Sequence, residues 1–64
     1  MKLSRDKIDL QLARKKMNIT KLAEVYGVSR NRINVLLNQR EVSTVSAGRL
    51  AAALECDVTD IIED

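Results

Sequence analysis

Apolar residues recur at helical spacing along most of this chain, and polar breaks divide them into five segments. Ile8, Leu12 and Ala13 predict a first helix over about Asp6 to Lys16, begun at Ser4 or Arg5. Its last turn carries Arg14, Lys15 and Lys16, where positive charge suits the negative end of the helix dipole. Leu22, Ala23 and Tyr26 predict a second helix over about Ile19 to Tyr26, with Asn18 as its N-cap. Gly27 ends that helix, because glycine enters the left-handed conformation without a Cβ penalty. Val28 plugs the corner, and Ser29 caps a third helix over about Arg30 to Asn38, with Ile33, Leu36 and Leu37 inward. A polar loop runs from Gln39 to Val42. Ser43 or Thr44 then caps a fourth helix reaching about Glu55, striped by Ala47, Leu50, Ala51 and Leu54. Gly48 costs that helix about 1 kcal/mol relative to Ala, which predicts a close helix contact there. Thr59 caps a last short helix through Ile61 and Ile62.

The central stretch, ITKLAEVYGVSRNRINVLLNQ, joins two of these helices by a turn too short for anything but a sharp corner. Helices meeting near a right angle need small residues at their closest approach, and Ala23 and Gly27 are expected to supply them. This is the pattern of a helix-turn-helix, whose second helix is shaped to enter a DNA major groove. Projected at about 100° per residue, the third helix places Asn31, Val35 and Asn38 opposite its buried side. Asn34 lies on one shoulder, Arg32 and Gln39 lie on the other, and Arg30 stands at the N-terminal end. Arginine donates two bonds to guanine O6 and N7, and asparagine both donates to and accepts from adenine. An outward valine is out of place on a solvated helix but suits a thymine methyl. Arginines and asparagines also keep an exposed helix solvated. Their position after a well-formed turn, with an exposed valine among them, favours the groove-reading role.

On these residues the chain resembles the Cro/repressor-type (XRE-like) helix-turn-helix regulators, in particular their minimal single-domain members. With Ile19 as the first motif position, Leu22, Ala23, Gly27, Val28, Ile33 and Leu36 fall on the family's small and apolar positions. The ending LAAALECDVTDII is similar to the family's closing helices, so the resemblance runs from about Ile8 onward. The chain departs from the pattern at Ile19, often a phosphate-contacting glutamine, and at Gln39, often glycine. The resemblance implies an all-α, five-helix, lambda-repressor-like DNA-binding domain spanning 1–64, with the helix-turn-helix at helices two and three. It implies base reading by Arg30, Asn31 and Val35, with Asn34 and Arg32 bordering the groove. Phosphate contacts are expected from Asn18, Lys21, Arg32, Asn38 and Arg40, while Lys2, Lys15 and Lys16 add to the field.

Charge sharpens this picture. Up to Arg40 the chain holds ten basic and three acidic residues, a net of +7, and from Glu41 onward the net is −5. The basic half is also the half with the helix-turn-helix, so the asymmetry would orient the chain on a polyanion. The acidic tail, Glu55, Asp57, Asp60, Glu63 and Asp64, lacks the glycine turn and alternating carboxylates of a calcium loop, and reads as a solvated face. With no His and a single Cys, histidine-ligated zinc, CxxC chemistry and an internal disulfide are excluded. Cys56 reads as a small buried apolar group. No catalytic residues, metal, cofactor or small-molecule ligand are expected, and no membrane segment or signal peptide is evident. Double-stranded operator DNA, a homodimer and a cytoplasmic location are the expectations. With no sensor domain in view, a transcription regulator of this kind would act by occupancy, covering a promoter as a repressor or touching polymerase beside it. An antitoxin-like protein-binding module and an architectural or recombination accessory protein are the rival readings.

Overall fold

A computed structural model of the protein describes residues 1–39 and 41–63. Four helices form: α1 (Arg5–Lys15), α2 (Ile19–Tyr26), α3 (Arg30–Asn38) and α4 (Thr44–Ala53), followed by a 3-10 turn at Val58–Asp60. The expected fifth helix is therefore only this turn. Its start is also shifted, since Asp57 rather than Thr59 is the cap: the Asp57 carboxylate accepts from the Thr59 N–H at 3.0 Å. The Asp57 N–H in turn donates to the Asp60 carboxylate at 3.2 Å. These bonds cap the start of the turn, and the Ile61 N–H then reaches only three residues back, to the Val58 carbonyl at 3.1 Å, so the segment stays a 3-10 turn.

The other boundaries follow local chemistry. Ser4, Asn18, Ser29 and Ser43 each sit in extended backbone and accept from an N–H in the first turn of the helix they precede. Helices α1, α2 and α4 all close alike. A residue with positive φ (Lys16 at 55°, Gly27 at 94°, Glu55 at 53°) is followed by an N–H reaching five residues back. Those bonds run from Met17 to Leu12, from Val28 to Ala23 and from Cys56 to Ala51, at 2.9, 3.0 and 3.0 Å. They satisfy carbonyls that a helix end leaves without partners.

The core contains Ile8, Leu22, Ile33, Leu50, Leu54 and Ile61, all fully enclosed, and is closed by Leu12, Ala23, Leu37, Ala47 and Ala51. Helix α2 packs on both α3 and α4, and the last turn packs on α4 and α1. One inward placement needs correcting. Ala13 is exposed, because the core-facing side of α1 is rotated toward Leu12, whereas Leu36 is half-buried and packs against the core. Gly48 is also exposed and an added Cβ would meet nothing within 4 Å, so no close helix contact accounts for it.

The first residues take part in the fold. Lys2 bridges Glu41 and Leu3 bridges Ile62, both antiparallel, so the N-terminal segment runs between the loop after α3 and the C-terminal residues. Val42 N–H donates to the Met1 carbonyl at 2.9 Å, Ser4 N–H to Ile61 at 2.8 Å and Glu63 N–H to Lys2 at 2.9 Å. Lys7 adds its ammonium to the Ile62 carbonyl at 2.9 Å. Leu3 is buried beneath this clasp.

Candidate nucleic-acid interface

The corner that presents α3 is built from Ala23, Gly27 and Ser29. Ala23, only 2% exposed, lets α2 lie close against its neighbours. Its carbonyl accepts from both Gly27 N–H at 2.8 Å and Val28 N–H at 3.0 Å, which turns the chain out of α2 within two residues. Gly27 is required by its φ of 94° and not by crowding, because space around its missing Cβ is open. The sequence-based account of Gly27 as a point of helix contact is corrected accordingly. Val28 and Ile19 both pack partly into the core. Ile19 thus adds packing at a position where the family often carries glutamine.

With the corner set, α3 turns Ile33 and Leu37 into the core and leaves Arg30, Asn31, Arg32, Val35 and Asn38 exposed. Residues 31, 35 and 38 stand on one ridge at helical spacing. Val35, 59% exposed, is the apolar member of that ridge. Asn34 is half-buried on its flank. Asn18 spends its carbonyl on the Lys21 N–H at 2.8 Å and keeps its NH2 as a donor beside the start of α2. Lys21 is exposed and loosely paired with Glu24 at 3.7 Å. Arg40 lies outside the described residues, as does Asp64.

Two clefts border the ridge, and sequence reasoning named neither. One, of about 430 Å³, lies between α3, the end of α2 and α4, with Arg32, Val35 and Leu36 on one side and Ser46 and Arg49 on the other. The Arg49 guanidinium lies 4.4 Å over the Tyr26 ring and donates to the Tyr26 carbonyl at 3.2 Å. The second cleft, about 320 Å³, brings Lys2 and Arg5 beside Asn38 and Gln39, with Glu63 opposite. Arg5 also pairs with Asp9 at 3.2 Å, one turn along α1. In the C-terminal half Glu55, Asp57 and Asp60 have structural partners. Lys15 is bonded to Glu55, which links the ends of α1 and α4 and holds the Glu55 carboxyl below its ordinary pKa. Bonds from the Thr59 backbone and then its hydroxyl lower Asp57 likewise. The Cys56 thiol is pushed up, first by burial and then by the nearby Asp60, which disfavours a thiolate. Among the described residues no group of three or more His, Cys, Asp or Glu side chains could hold a metal ion, and no helix is long and apolar enough to cross a membrane.

The corner-mounted helix with its polar outer ridge agrees with the family that comparison with known proteins finds. The Cro/C1-type helix-turn-helix DNA-binding domain matches residues 7–64. The chain belongs to this family. One relative is an HTH-type transcriptional regulator, YozG, of Bacillus subtilis (strain 168). The two are 37% identical over 60 residues, which takes in 88% of this chain and 69% of the relative. No solved structure matches the chain. As a Cro/C1-type domain, the chain carries the family's helix-turn-helix DNA-binding fold within residues 7–64. The four helices and terminal turn are its version of the fold.

Proposed function

We propose that this Cro/C1-type domain is a sequence-specific transcription regulator, a repressor that acts by occupying its operator. The observation that carries the reading is the ridge of Asn31, Val35 and Asn38, exposed along a helix whose other side is locked into the core. Arg30 and Asn31 at the N-terminal end of α3 read base edges, Val35 meets a thymine methyl, and Asn34 supports the reading from the flank. Asn18, Lys21, Arg32, Asn38 and Arg40 hold phosphates and set the register without reading sequence. The YozG relative, a transcriptional regulator by name, supports the same role.

The molecule measures 26 Å along its longest axis. Successive major-groove faces of a duplex are about 34 Å apart, so one copy reads one half-site. That dimension, and the few base pairs one recognition helix covers, support a homodimer on a two-fold symmetric operator, with the cytoplasm as its expected location. No cofactor or small-molecule ligand enters this reading, and blocking a promoter is the effect such a footprint has.

Selection of bound duplexes from a random pool tests the proposal directly. The recovered sites should share a symmetric sequence with half-sites one turn apart. Arg30→Ala and Asn31→Ala should each cost about 1–3 kcal/mol and relax preference at one or two base positions. A pool that shows no enriched sequence, or equal losses on all duplexes, would overturn base reading by α3.

A further inference from the structure

The cleft between α3 and α4 has a composition that the ridge alone does not account for. Its lining combines apolar groups, from Val28, Val35, Leu36 and the Tyr26 ring, with the polar side chains of Arg32, Gln39, Ser46 and Arg49. We propose that this cleft seats one sugar–phosphate strand of the bound duplex and that Arg49 is its phosphate anchor. The inference rests on the DNA-binding reading above and extends it to a residue outside the helix-turn-helix. A deoxyribose offers an apolar face and its phosphate an anion, and the cleft offers a surface suited to each.

Arg49 is prepared for such a contact. Stacking on Tyr26 and the bond to the Tyr26 carbonyl orient the guanidinium before any ligand arrives. A guanidinium has five N–H donors, and one serves Tyr26. The remaining donors match the two-oxygen edge of a phosphate, at little further cost in side-chain freedom. The occupant follows from position. Val35 lies on the reading ridge and also lines this cleft, so whatever fills the cleft adjoins the bases under α3. A helix in a major groove about 12 Å wide has a backbone strand rising on either side of it. The strand on the α4 side is therefore the nearest ligand available. Because Arg49 grips α2 through its last residue, the phosphate it holds would be referenced to the same corner that aims α3.

The test compares the full chain with Arg49→Ala and with Arg49→Gln, which keeps an amide donor for the Tyr26 carbonyl. Affinity is measured against salt on a duplex enriched by the unaltered protein. Both variants should lose roughly 10-fold in affinity, evenly across sequences. The log–log salt slope should fall in magnitude by about 0.9, the signature of one phosphate contact. A neutral methylphosphonate at one backbone position should weaken the unaltered protein and leave the variants unaffected. An unchanged salt slope with a lowered melting temperature would show that Arg49 only braces the corner, and would overturn the assignment. So would wild-type DNA affinity in Arg49→Gln together with capture of a protein ligand by the cleft. In either case loss of base preference in Asn31→Ala would leave the regulator reading standing. If the unaltered chain binds no duplex, that reading fails first and this one with it.

Discussion

At Gly27 the backbone holds φ at 94°, where any side chain is strained whatever space surrounds it. Gly27→Ala should therefore cost about 1–2 kcal/mol of stability and loosen the corner, measurable as a lower denaturation midpoint and weaker DNA binding together. Gly48 presents the opposite case within an α-helix. It is exposed in α4, and a Cβ there meets nothing. Gly48→Ala should raise stability by about 0.5–1 kcal/mol through the helix preference of alanine, read from thermal unfolding. Lys16 shows the same logic reversed, because a non-glycine residue sits at φ 55°. Relief of the left-handed strain outweighs the extra freedom glycine has in the unfolded chain. Lys16→Gly should then gain a few tenths to about 1 kcal/mol.

The helices owe their starts to single side chains that bond within three residues, which is why most of their starts could be read from the sequence. Asn18, Ser29 and Ser43 are short polar residues just before a segment of helical periodicity, and each accepts from the backbone three positions on. Ser29→Ala should cost about 1 kcal/mol in stability through loss of this bond. Urea unfolding of the variant would measure the loss, which leaves α3 less firmly started at the end that faces DNA. The last segment was misread because its cap is a pair of carboxylates, Asp57 and Asp60, which the pattern of apolar residues does not reveal. The outer ridge of α3 was readable from helical periodicity alone. The two clefts were not, since each joins parts of the chain far apart in sequence. Arg49 reaches Tyr26 across 23 positions, and Lys2 bridges Glu41 through the backbone. Nothing local marks an arginine among the small and apolar residues of α4 as a neighbour of the recognition helix.

At the scale of the whole molecule, the two ends of the chain and the loop after α3 form one unit. Lys2 and Leu3 bridge to Glu41 and Ile62, so strain placed on the loop reaches the C-terminal residues through a single short segment. Leu3→Asp should open this clasp and lower stability by about 2–4 kcal/mol, through loss of apolar burial and exposure of a charge to the core edge. Hydrogen exchange would register it first at Ser4, Val42 and Glu63, whose N–H groups bond across the segment. Acid should act through two carboxylates near the ends of α4 and the last turn. Glu55 and Asp57 have folded pKa values below their ordinary ones, so their stabilisation is present above the usual carboxylate range and is lost as pH falls through the folded values. The melting temperature should fall on acidification, and the double substitution Glu55→Gln with Asp57→Asn should flatten part of that slope. The stacked pair in the α3–α4 cleft has a practical consequence of its own. Tyr26 is the only aromatic residue in the chain, so a 13C-tyrosine-labelled sample yields a single ring spin system against an unlabelled duplex. That one set of resonances reports whether the guanidinium stays in place or swings away when a nucleic acid arrives, with no probe attached to the surface.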